Sequence, residues 1–475
     1  MIIAYIVISF LIGVALFVNR NRIINYSLVS LFSVLQWVFI LYLYHHRGQD
    51  ATGYFNADSL AILMLITSGI IIPPAFYYSY IYFKIKKDQP RERGMYFSAM
   101  VVLAAAISAA YLANHIALMW VFVELTTLSA AALVYHRRNV RSLEGTWKYF
   151  FVSSISITLV FIGILFLTIA LQQEGFTDLT YPALKKNASS LNGFWLRLTF
   201  IFIFTGYTAK MGLVPMHTVG IDAKDKAPSP AGALFSSIVM NMGFVGIFRV
   251  YEIISRTPLK EWADTILLVS AVLSIFVAAV YMMSVKNMKR MFAYSSIEHM
   301  GIAMLGIAAG GIGYYAALLH LVLHAITKSS LFFQMGQVYR IYNSKSLYDT
   351  GNYLKYNLTG AMVILLAFIC GTAMPPSGLF VTEFMIFRSL FESHHFIFLA
   401  VILLLLTMII WAFGKSIFRL LFTPAAGFNE AGMGKINPFE SVPQLILLGA
   451  VIYLGINPPV QLVELINESV KYISY

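Results

Sequence analysis

Long apolar segments follow one another along almost the whole chain, and only short polar stretches separate them. About fourteen of these segments are long enough to cross a lipid bilayer as α-helices. The strict alternation of apolar and polar residues that is typical of a membrane β-barrel does not occur. The pattern therefore predicts an all-α polytopic membrane protein. The predicted segments are 2–18, 23–45, 58–82, 95–112, 115–135, 146–172, 195–219, 230–254, 262–285, 288–310, 312–341, 357–389, 395–422 and 441–457.

The composition agrees with this pattern and narrows the chemistry. Hydrophobic residues make up 59% of the 475 residues and charged residues only 11%, and the mean hydropathy is +0.76. A soluble domain has roughly 25% charged residues, so this chain has too few to cover a surface in water. The net charge of +12 is a topology signal and does not indicate nucleic-acid binding. The single cysteine, Cys370, excludes an internal disulfide and a cysteine-ligated iron–sulfur cluster.

Basic residues are concentrated in the loops that follow odd-numbered segments, such as "KIKKDQPRERG" and "HRRNVRSLEGTWK". The loops on the opposite side, such as "HHRGQD" and "FRSLFESHH", contain fewer of them. The positive-inside rule assigns the richer side to the cytoplasm. Because the predicted number of spans is even, both termini are expected on the outer side.

Two of the predicted segments contain residues that interrupt a helix. The seventh has Gly212 and Pro215 in "YTAKMGLVPMHT", and the twelfth has Pro375 and Pro376 in "MPPSG". Interrupted helices at membrane depth are tolerated where they are buried in protein or line a cavity. They also indicate an ion or substrate path in transporters that are built from repeats.

The spacing of ionisable residues indicates an internal repeat. Glu124 and Lys210 are 86 residues apart, and Glu298 and Glu383 are 85 residues apart. An offset of about 174 residues superposes five segments on the next five, and an odd number of helices makes the repeat an inverted one. The predicted divisions are an N-terminal three-helix segment, two five-helix repeats and a C-terminal helix with a short tail. Their bounds are 1–94, 95–260, 261–425 and 426–475.

Lys210 is the first candidate for ion transfer. A charged residue at mid-membrane costs at least about 3 kcal/mol, and a lysine deprived of water can exchange a proton near neutral pH. Glu124 in "MWVFVELTTL" is its predicted partner, and pairing with it would control when the lysine holds its proton. A lysine that reaches toward the membrane interface and a static ion pair are the two alternatives.

The eleventh segment carries a stripe of ionisable residues. His320, His324 and Lys328 are spaced four apart and share one helix face. Each must find a partner in hydrocarbon, and histidine relays protons near neutral pH. A metal site that adds Glu298 and His299 stays open as an alternative, although no metal ligand is predicted.

Glu298 and His299 are also possible proton relays, and so are two residues outside the eleventh and tenth segments. His217 follows the first helix break, and Lys415 lies in "WAFGKSIF", where it is also consistent with an interfacial position. The charged stretch "DAKDK" is interpreted as a solvated turn. The sequence contains no Walker loop, dinucleotide-binding glycine motif, HExxH or GxSxG. It therefore predicts a proton or cation conductor without a catalytic centre of its own.

Four stretches together resemble the antiporter-like subunits of respiratory complex I and the Mrp antiporters. They are "TAKMGLVPMHT" with "DAKDKAPSPAGAL", "YSSIEHMGI", "LHLVLHAITKSSLFF" and "MPPSGLFVTEF". "YSSIEHMGI" and "APSP" are most similar to the F-type subunit of the group 4 membrane-bound hydrogenases, which include the formate hydrogenlyase type. The resemblance implies an antiporter-like fold of fourteen helices, with two inverted five-helix repeats and one broken helix in each.

The resemblance also implies roles for single residues. Glu124 matches the glutamate of the fifth helix and Lys210 the lysine of the seventh, and Lys328 lies in the eleventh-helix pattern. Glu383 matches the ionisable residue of the broken twelfth helix. Many complex I members have a lysine or histidine in the eighth helix, whereas this chain has Ser236 or Asn241 at the matching places. Water and neutral side chains would then provide the link between two half-channels.

The expected function is proton or sodium translocation by a membrane subunit of a redox-driven complex of hydrogenase or NADH:quinone oxidoreductase type. The chain is expected to hold no cofactor, whereas partner subunits would carry iron–sulfur clusters and, in a complex of hydrogenase type, nickel–iron. Other membrane subunits, a peripheral redox arm and the lipid bilayer are the expected partners, and the prokaryotic cytoplasmic membrane is the expected location. The alternatives are an Mrp-type cation/proton antiporter subunit without a redox partner and a purely structural membrane anchor.

Overall fold

A computed structural model describes residues 1–47, 53–85, 89–425, 428, 430, 433–471 and 473. Over this part of the chain the protein is helical, with no β-strand and three isolated β-bridges. The helices are α1 (Ile2–Val18), α2 (Arg22–His45), α3 (Ser59–Ile85), α4 (Pro90–Leu112), α5 (Ile116–Val134), α6 (Val140–Gln173), α7 (Tyr181–Asn187), α8 (Gly193–Met211), α9 (Val219–Lys226), α10 (Ser229–Ser236), α11 (Ile238–Ile254), α12 (Lys260–Ser284), α13 (Met288–Ala309), α14 (Ile312–Tyr342), α15 (Tyr353–Tyr356), α16 (Leu358–Gly371), α17 (Gly378–Glu392), α18 (Phe396–Phe422), α19 (Val442–Ile456) and α20 (Val460–Val470).

The predicted all-α polytopic membrane protein is confirmed. Every predicted segment coincides with one helix or with two consecutive helices. Ten helical segments in the described residues are long and apolar enough to cross a membrane, and α1 and α16 are shorter apolar helices. The count of fourteen spans stays a prediction, as does the division into repeats.

Asparagine begins many of the helices. Its short side chain accepts a hydrogen bond from a backbone N–H in the first turn, which has no partner within the helix. Asn139 forms a capping box with Ser142 at the start of α6. The same kind of cap begins four other helices, at Asn21, Asn192, Asn287 and Asn357. These caps fix where the long apolar segments start.

The two predicted helix breaks are present. Helix α8 ends at Met211, and Gly212 follows with φ +86°, a left-handed conformation that glycine adopts without steric cost. The chain resumes as α9 only at Val219. The second break separates α16 from α17, and the Ser377 side chain caps the new helix. A third interruption, at Ser237 between α10 and α11, was not predicted.

The chain divides into two compact units. Unit 1 contains Met1–Ala227, Ile238–Ile266 and Gln461–Tyr475, and unit 2 contains Pro228–Ser237 and Leu267–Val460.

In unit 1, α8 packs closely between α6 and α11. Two glycines permit this approach. A Cβ atom on Gly206 would lie 2.4 Å from the backbone oxygen of Ser156 on α6, and one on Gly243 of α11 would lie 2.3 Å from the backbone nitrogen of Met211. Neither place has room for a side chain, so α8 and its terminal Lys210 are held in position from both sides.

In unit 2, α14 is the central helix and packs against α10, α13, α16, α17 and α19. The most apolar 18 residues of α14 are all buried inside the protein. Polar groups on this helix can therefore be satisfied only by other parts of the protein. The stripe of His320, His324 and Lys328 lies on α14, and each of these three side chains is fully buried.

A charged cluster joins α3, α7 and α11 within unit 1. Arg249 forms a bidentate pair with Asp58, the residue before α3. Its guanidinium also lies 5.6 Å from the centre of the Tyr181 ring. Glu252 forms an ion pair with Lys185 of α7 at 2.8 Å and lies 3.8 Å from Arg249. Because Arg249 and Glu252 are buried, each charge depends on the other members of the cluster.

Arg249→Met should therefore destabilise unit 1. Removal of one partner of a buried ion pair costs about 3–5 kcal/mol, and the lower end applies here because 33% of the Asp58 side chain is exposed. The measurement is the temperature at which the detergent-purified chain loses its monodisperse peak in size-exclusion chromatography. Arg141→Met, at an exposed position of α6, is the control. Equal midpoints for the two variants would contradict a stabilising role for the cluster.

Candidate functional site

Lys210 is the next-to-last residue of α8 and is buried in unit 1. Its ammonium nitrogen Nζ donates to the hydroxyl Oγ1 of Thr127 on α5 at 2.8 Å and to the Tyr149 hydroxyl on α6 at 3.3 Å. Nζ also lies 5.2 Å from the centre of the Tyr149 ring. Neutral hydroxyls and an aromatic face thus surround this cation.

Glu124 does not form the direct ion pair with Lys210 that the sequence suggested. The Thr127 hydroxyl donates to its carboxylate at 3.2 Å, and Ser154 donates to the other oxygen at 3.4 Å. Thr127 follows Glu124 by one helical turn on α5, so its hydroxyl occupies the space between the two charges. The result is a chain of hydrogen bonds from Lys210 through Thr127 to Glu124.

A cavity of about 210 Å³ lies in unit 1 at the start of α9. Lys148 and Val152 of α6, Thr218, and Val219 and Asp222 of α9 line it. Lys148 and Val152 flank Tyr149 along α6, and the Tyr149 hydroxyl accepts from Lys210. The cavity that follows the break after α8 is therefore partly polar.

Unit 1 also contains a buried lysine that the sequence did not identify as part of the site. The stretch "DAKDK" is not a solvated turn, since it forms part of α9 with Lys224 and Asp225 buried. Lys224 Nζ lies 3.0 Å from the sulfur of Met240 on α11, next to Asn241. The missed signal is that apolar Val219, Ile221 and Ala223, which are also buried, lie directly before and among these charged residues.

Asn241 itself is fully buried on α11. Within the described part of the chain, neither polar atom of its amide has a hydrogen-bond partner. A buried amide whose donor and acceptor are both unused is a place where ordered water binds.

Unit 2 contains a second lysine that is bridged to a glutamate. Lys328 Nζ donates to Ser295 Oγ on α13 at 2.6 Å, and the Ser295 hydroxyl donates to Glu298 at 3.2 Å. All three side chains are buried. Glu298 lies one turn from Ser295 on the same helix, as Glu124 does from Thr127. Each unit therefore holds a lysine, a hydroxyl and a glutamate in the same order.

The histidines of unit 2 form a cluster with Glu383. His299 Nδ1 lies 3.2 Å from His320 Nε2 and 3.7 Å from a carboxylate oxygen of Glu383. The rings of His299 and His324 have centres 5.3 Å apart. The structure thus brings four of the predicted residues together on α13, α14 and α17, beside Lys328.

Other predicted relay residues lie apart from these groups. His217 is half-buried in the break between α8 and α9. Ser236 donates to the Gly232 carbonyl of its own helix at 2.9 Å. Lys415 is exposed on α18, with Nζ 4.9 Å from the centre of the Trp411 ring. Their roles stay predictions, and Lys415 has the exposed position expected of an interfacial lysine.

Comparison with models of protein families shows which family the chain belongs to. The model of the transmembrane region of the NADH:quinone oxidoreductase/Mrp antiporter family matches residues 113–409. The chain belongs to this family. The matched region includes every residue of the two lysine–hydroxyl–glutamate groups and the histidine cluster. The family predicted from the four motifs is therefore confirmed.

Individual relatives agree with this assignment. The chain is 30% identical over 370 residues to the hydrogenase-4 component F homolog of Methylacidiphilum infernorum (isolate V4). The aligned region covers 76% of this chain and 78% of that protein.

Two solved structures share the fold of this chain. A chain of the membrane-bound sulfane sulfur reductase, an archaeal respiratory membrane complex, matches with a TM-score of 0.86 at 19% identity over 100% of this chain and 97% of that one. A chain of the Mrp complex of Dietzia sp. DQ12-45-1b matches with a TM-score of 0.84 at 16% identity over 99% of this chain and 97% of that one. The predicted antiporter-like fold is thereby confirmed.

The two bridging hydroxyls should be required for proton transfer between lysine and glutamate. Thr127→Val removes the hydroxyl at nearly the same volume, and Ser295→Ala does so in unit 2. Because a positioned proton-transfer group contributes about a hundredfold or more in rate, each variant should slow ion translocation by a factor of that order. The measurement is the initial rate of proton uptake by membrane vesicles that contain the assembled protein.

The matched controls keep the hydroxyl and change the carbon skeleton. Thr127→Ser and Ser295→Thr should retain most of the translocation rate. If Thr127→Val and Ser295→Ala also retain it, the hydroxyls only pack the lysines and do not transfer protons.

Proposed function

We propose that this chain is the ion-translocating membrane subunit of a redox-driven complex of hydrogenase or NADH:quinone oxidoreductase type. Membership of the family and the 30% identity to a hydrogenase-4 component support this proposal. The single observation that carries the mechanism is the lysine–hydroxyl–glutamate group, which occurs once in each unit. Electron transfer in partner subunits would supply the energy.

In unit 1 the proposed step is exchange of a proton between Lys210 and Glu124. The ammonium of Lys210 gives a proton to Thr127, whose hydroxyl passes its own proton to the carboxylate. The transfer leaves Lys210 and Glu124 both uncharged, which lowers the cost of keeping these two side chains away from water. The cavity lined by Lys148 and Asp222 would connect this group to water.

In unit 2 the equivalent exchange links Lys328, Ser295 and Glu298, and the histidine cluster would continue the path to Glu383. The proposed half-channels are joined by a central row of buried charged residues. In unit 1, water at Asn241 and the cation of Lys224 would take the place of the charged residue that many relatives have in the eighth helix. Protons are the ions that this chemistry favours, because hydroxyls, imidazoles and carboxylates can each pass on a proton.

An Mrp-type cation/proton antiporter subunit is the second candidate, and the likeness in fold to the Mrp complex is the observation in its favour. Purification of the chain in a mild detergent, followed by identification of the chains that remain bound, separates the two. Subunits with iron–sulfur clusters or nickel–iron would support the redox complex. Association only with small membrane subunits would support the antiporter.

We propose the prokaryotic cytoplasmic membrane as the location, with both termini on the outer side. A reporter enzyme that is active only outside the membrane should therefore be active when fused after the last residue. The same reporter should be inactive in the basic loop between the third and fourth segments, which the positive-inside rule assigns to the cytoplasm. The opposite pattern of activity would reverse the topology.

Lys210→Arg should abolish coupled translocation although it preserves the positive charge. An arginine keeps its proton at every physiological pH, so it cannot complete the exchange with Thr127 and Glu124. The measurement is the redox-driven change of pH in vesicles that contain the assembled complex. The control is Lys186→Arg at an exposed position of α7, which should leave coupling unchanged. Wild-type coupling in Lys210→Arg would make Lys210 a fixed charge and refute its role as proton carrier.

A further inference from the structure

Three side chains in unit 2 direct potential ligand atoms at one another. His299 of α13, His320 of α14 and Glu383 of α17 are all buried, with 6% of Glu383 exposed. One nitrogen from each histidine and one carboxylate oxygen lie within 4.8 Å of one another. We refer to these three residues as the His–His–Glu cluster.

The other nitrogen of each imidazole is already occupied. His299 Nε2 lies 3.0 Å from the backbone oxygen of Gly371, so it must carry the hydrogen and donate. His320 Nδ1 lies 2.9 Å from the Thr382 hydroxyl oxygen. That hydroxyl also lies 3.0 Å from the backbone oxygen of Leu379, and when it donates to that oxygen it accepts from His320. Two neutral imidazoles arranged in this way point their lone pairs at each other across 3.2 Å.

In this tautomer a cation between the two nitrogens would remove the repulsion between their lone pairs. A neutral imidazole has only one N–H, and here both N–H groups point away from the gap. The Glu383 oxygen that faces His299 at 3.7 Å has no hydrogen-bond partner among the described residues.

We propose that the His–His–Glu cluster binds a divalent transition-metal cation of the Zn²⁺ type. Two imidazole nitrogens and one carboxylate, with a fourth position left to water, are a ligand set that suits zinc. The nitrogen ligands select against Mg²⁺ and Ca²⁺, which require oxygen ligands. Two ligand atoms on a tetrahedral zinc ion lie about 3.3 Å apart when each bond is about 2.0–2.1 Å long, close to the separation of the two nitrogens.

The surrounding structure already orients the ligands. The Gly371 carbonyl and the Thr382 hydroxyl fix the two imidazole rings, which is the role that hydrogen-bonded partners have around metal-bound histidines. Gly371 is the last residue of α16, and Thr382 lies in the second turn of α17. The cluster therefore lies against the helix break, whose Pro375 and Pro376 are exposed. The break provides the Gly371 carbonyl as a hydrogen-bond acceptor for His299.

The bound ion would occupy the place of a translocated proton. The metal uses the two lone pairs and the carboxylate oxygen through which His299, His320 and Glu383 would relay protons, so zinc should inhibit translocation. This consequence rests on the proposed function, whereas binding of the metal does not. The two are therefore tested separately.

The binding test uses the full-length chain purified in detergent, with Co²⁺ as a spectroscopic substitute for Zn²⁺. We expect one equivalent of Co²⁺ to give the visible absorption of a tetrahedral site and one equivalent of Zn²⁺ to remove it. His320→Gln and Glu383→Gln should each weaken binding at least about tenfold. The control His394→Gln changes an exposed histidine and should bind as the wild type does.

Two results of this experiment would overturn the proposal. One is the absence of a one-equivalent tetrahedral spectrum in the wild-type chain. The other is unchanged Co²⁺ binding in Glu383→Gln, a nearly isosteric variant that is expected to fold even where His320→Gln does not.

The inhibition test uses membrane vesicles that contain the assembled complex. Micromolar Zn²⁺ should slow redox-driven proton movement, and Glu383→Gln should raise the Zn²⁺ concentration needed for half inhibition of the translocation that remains. If the purified chain binds Co²⁺ at this cluster but Zn²⁺ leaves translocation unchanged, the metal site stands and the cluster lies outside the proton path. Loss of translocation in Lys210→Arg together with no Co²⁺ binding would keep the proposed function and reject the metal site.

Discussion

A charged group within a hydrocarbon layer must be satisfied by the protein itself, and this requirement governs the arrangement of both units. The cost of a charge at the centre of a membrane is at least about 3 kcal/mol. Lys210 and Lys328 meet it through hydroxyls of neighbouring helices, and those hydroxyls in turn donate to glutamates. An intervening hydroxyl keeps the two charges close enough to attract each other and supplies an atom through which a proton can move.

The backbone serves the same requirement. Close contacts at Gly206 and Gly243 fix α8 between its neighbours, so the end of that helix presents Lys210 to α5 and α6. The interruption that follows leaves room for a cavity. In unit 2 the break after α16 frees the Gly371 carbonyl, which accepts a hydrogen bond from His299. Both breaks are thus used to position ionisable side chains.

The sequence predicted the helices, both proline-containing breaks, the family and the main ionisable residues, because charge and proline within apolar segments are conspicuous. It did not predict Thr127 and Ser295 as bridges, since a hydroxyl in a helix is common and only tertiary packing brings it between two charges. The polar stretch around Lys224 favours a solvated turn, yet α9 packs against α6 and its Lys224 contacts Met240 of α11. The spacing of His320 and His324 predicted a shared helix face, whereas packing of α13 against α14 places His299 within hydrogen-bonding distance of His320.

The central claim is that Glu124 and Glu298 change protonation while the complex turns over. Infrared difference spectra of the assembled complex, recorded between its oxidised and reduced states, measure this directly in the carboxyl region. The account predicts a carboxyl signal that loses one component in Glu124→Gln and a different component in Glu298→Gln. A carboxyl signal that is the same in both variants and in the wild type would show that these glutamates stay in one protonation state, and would contradict the account.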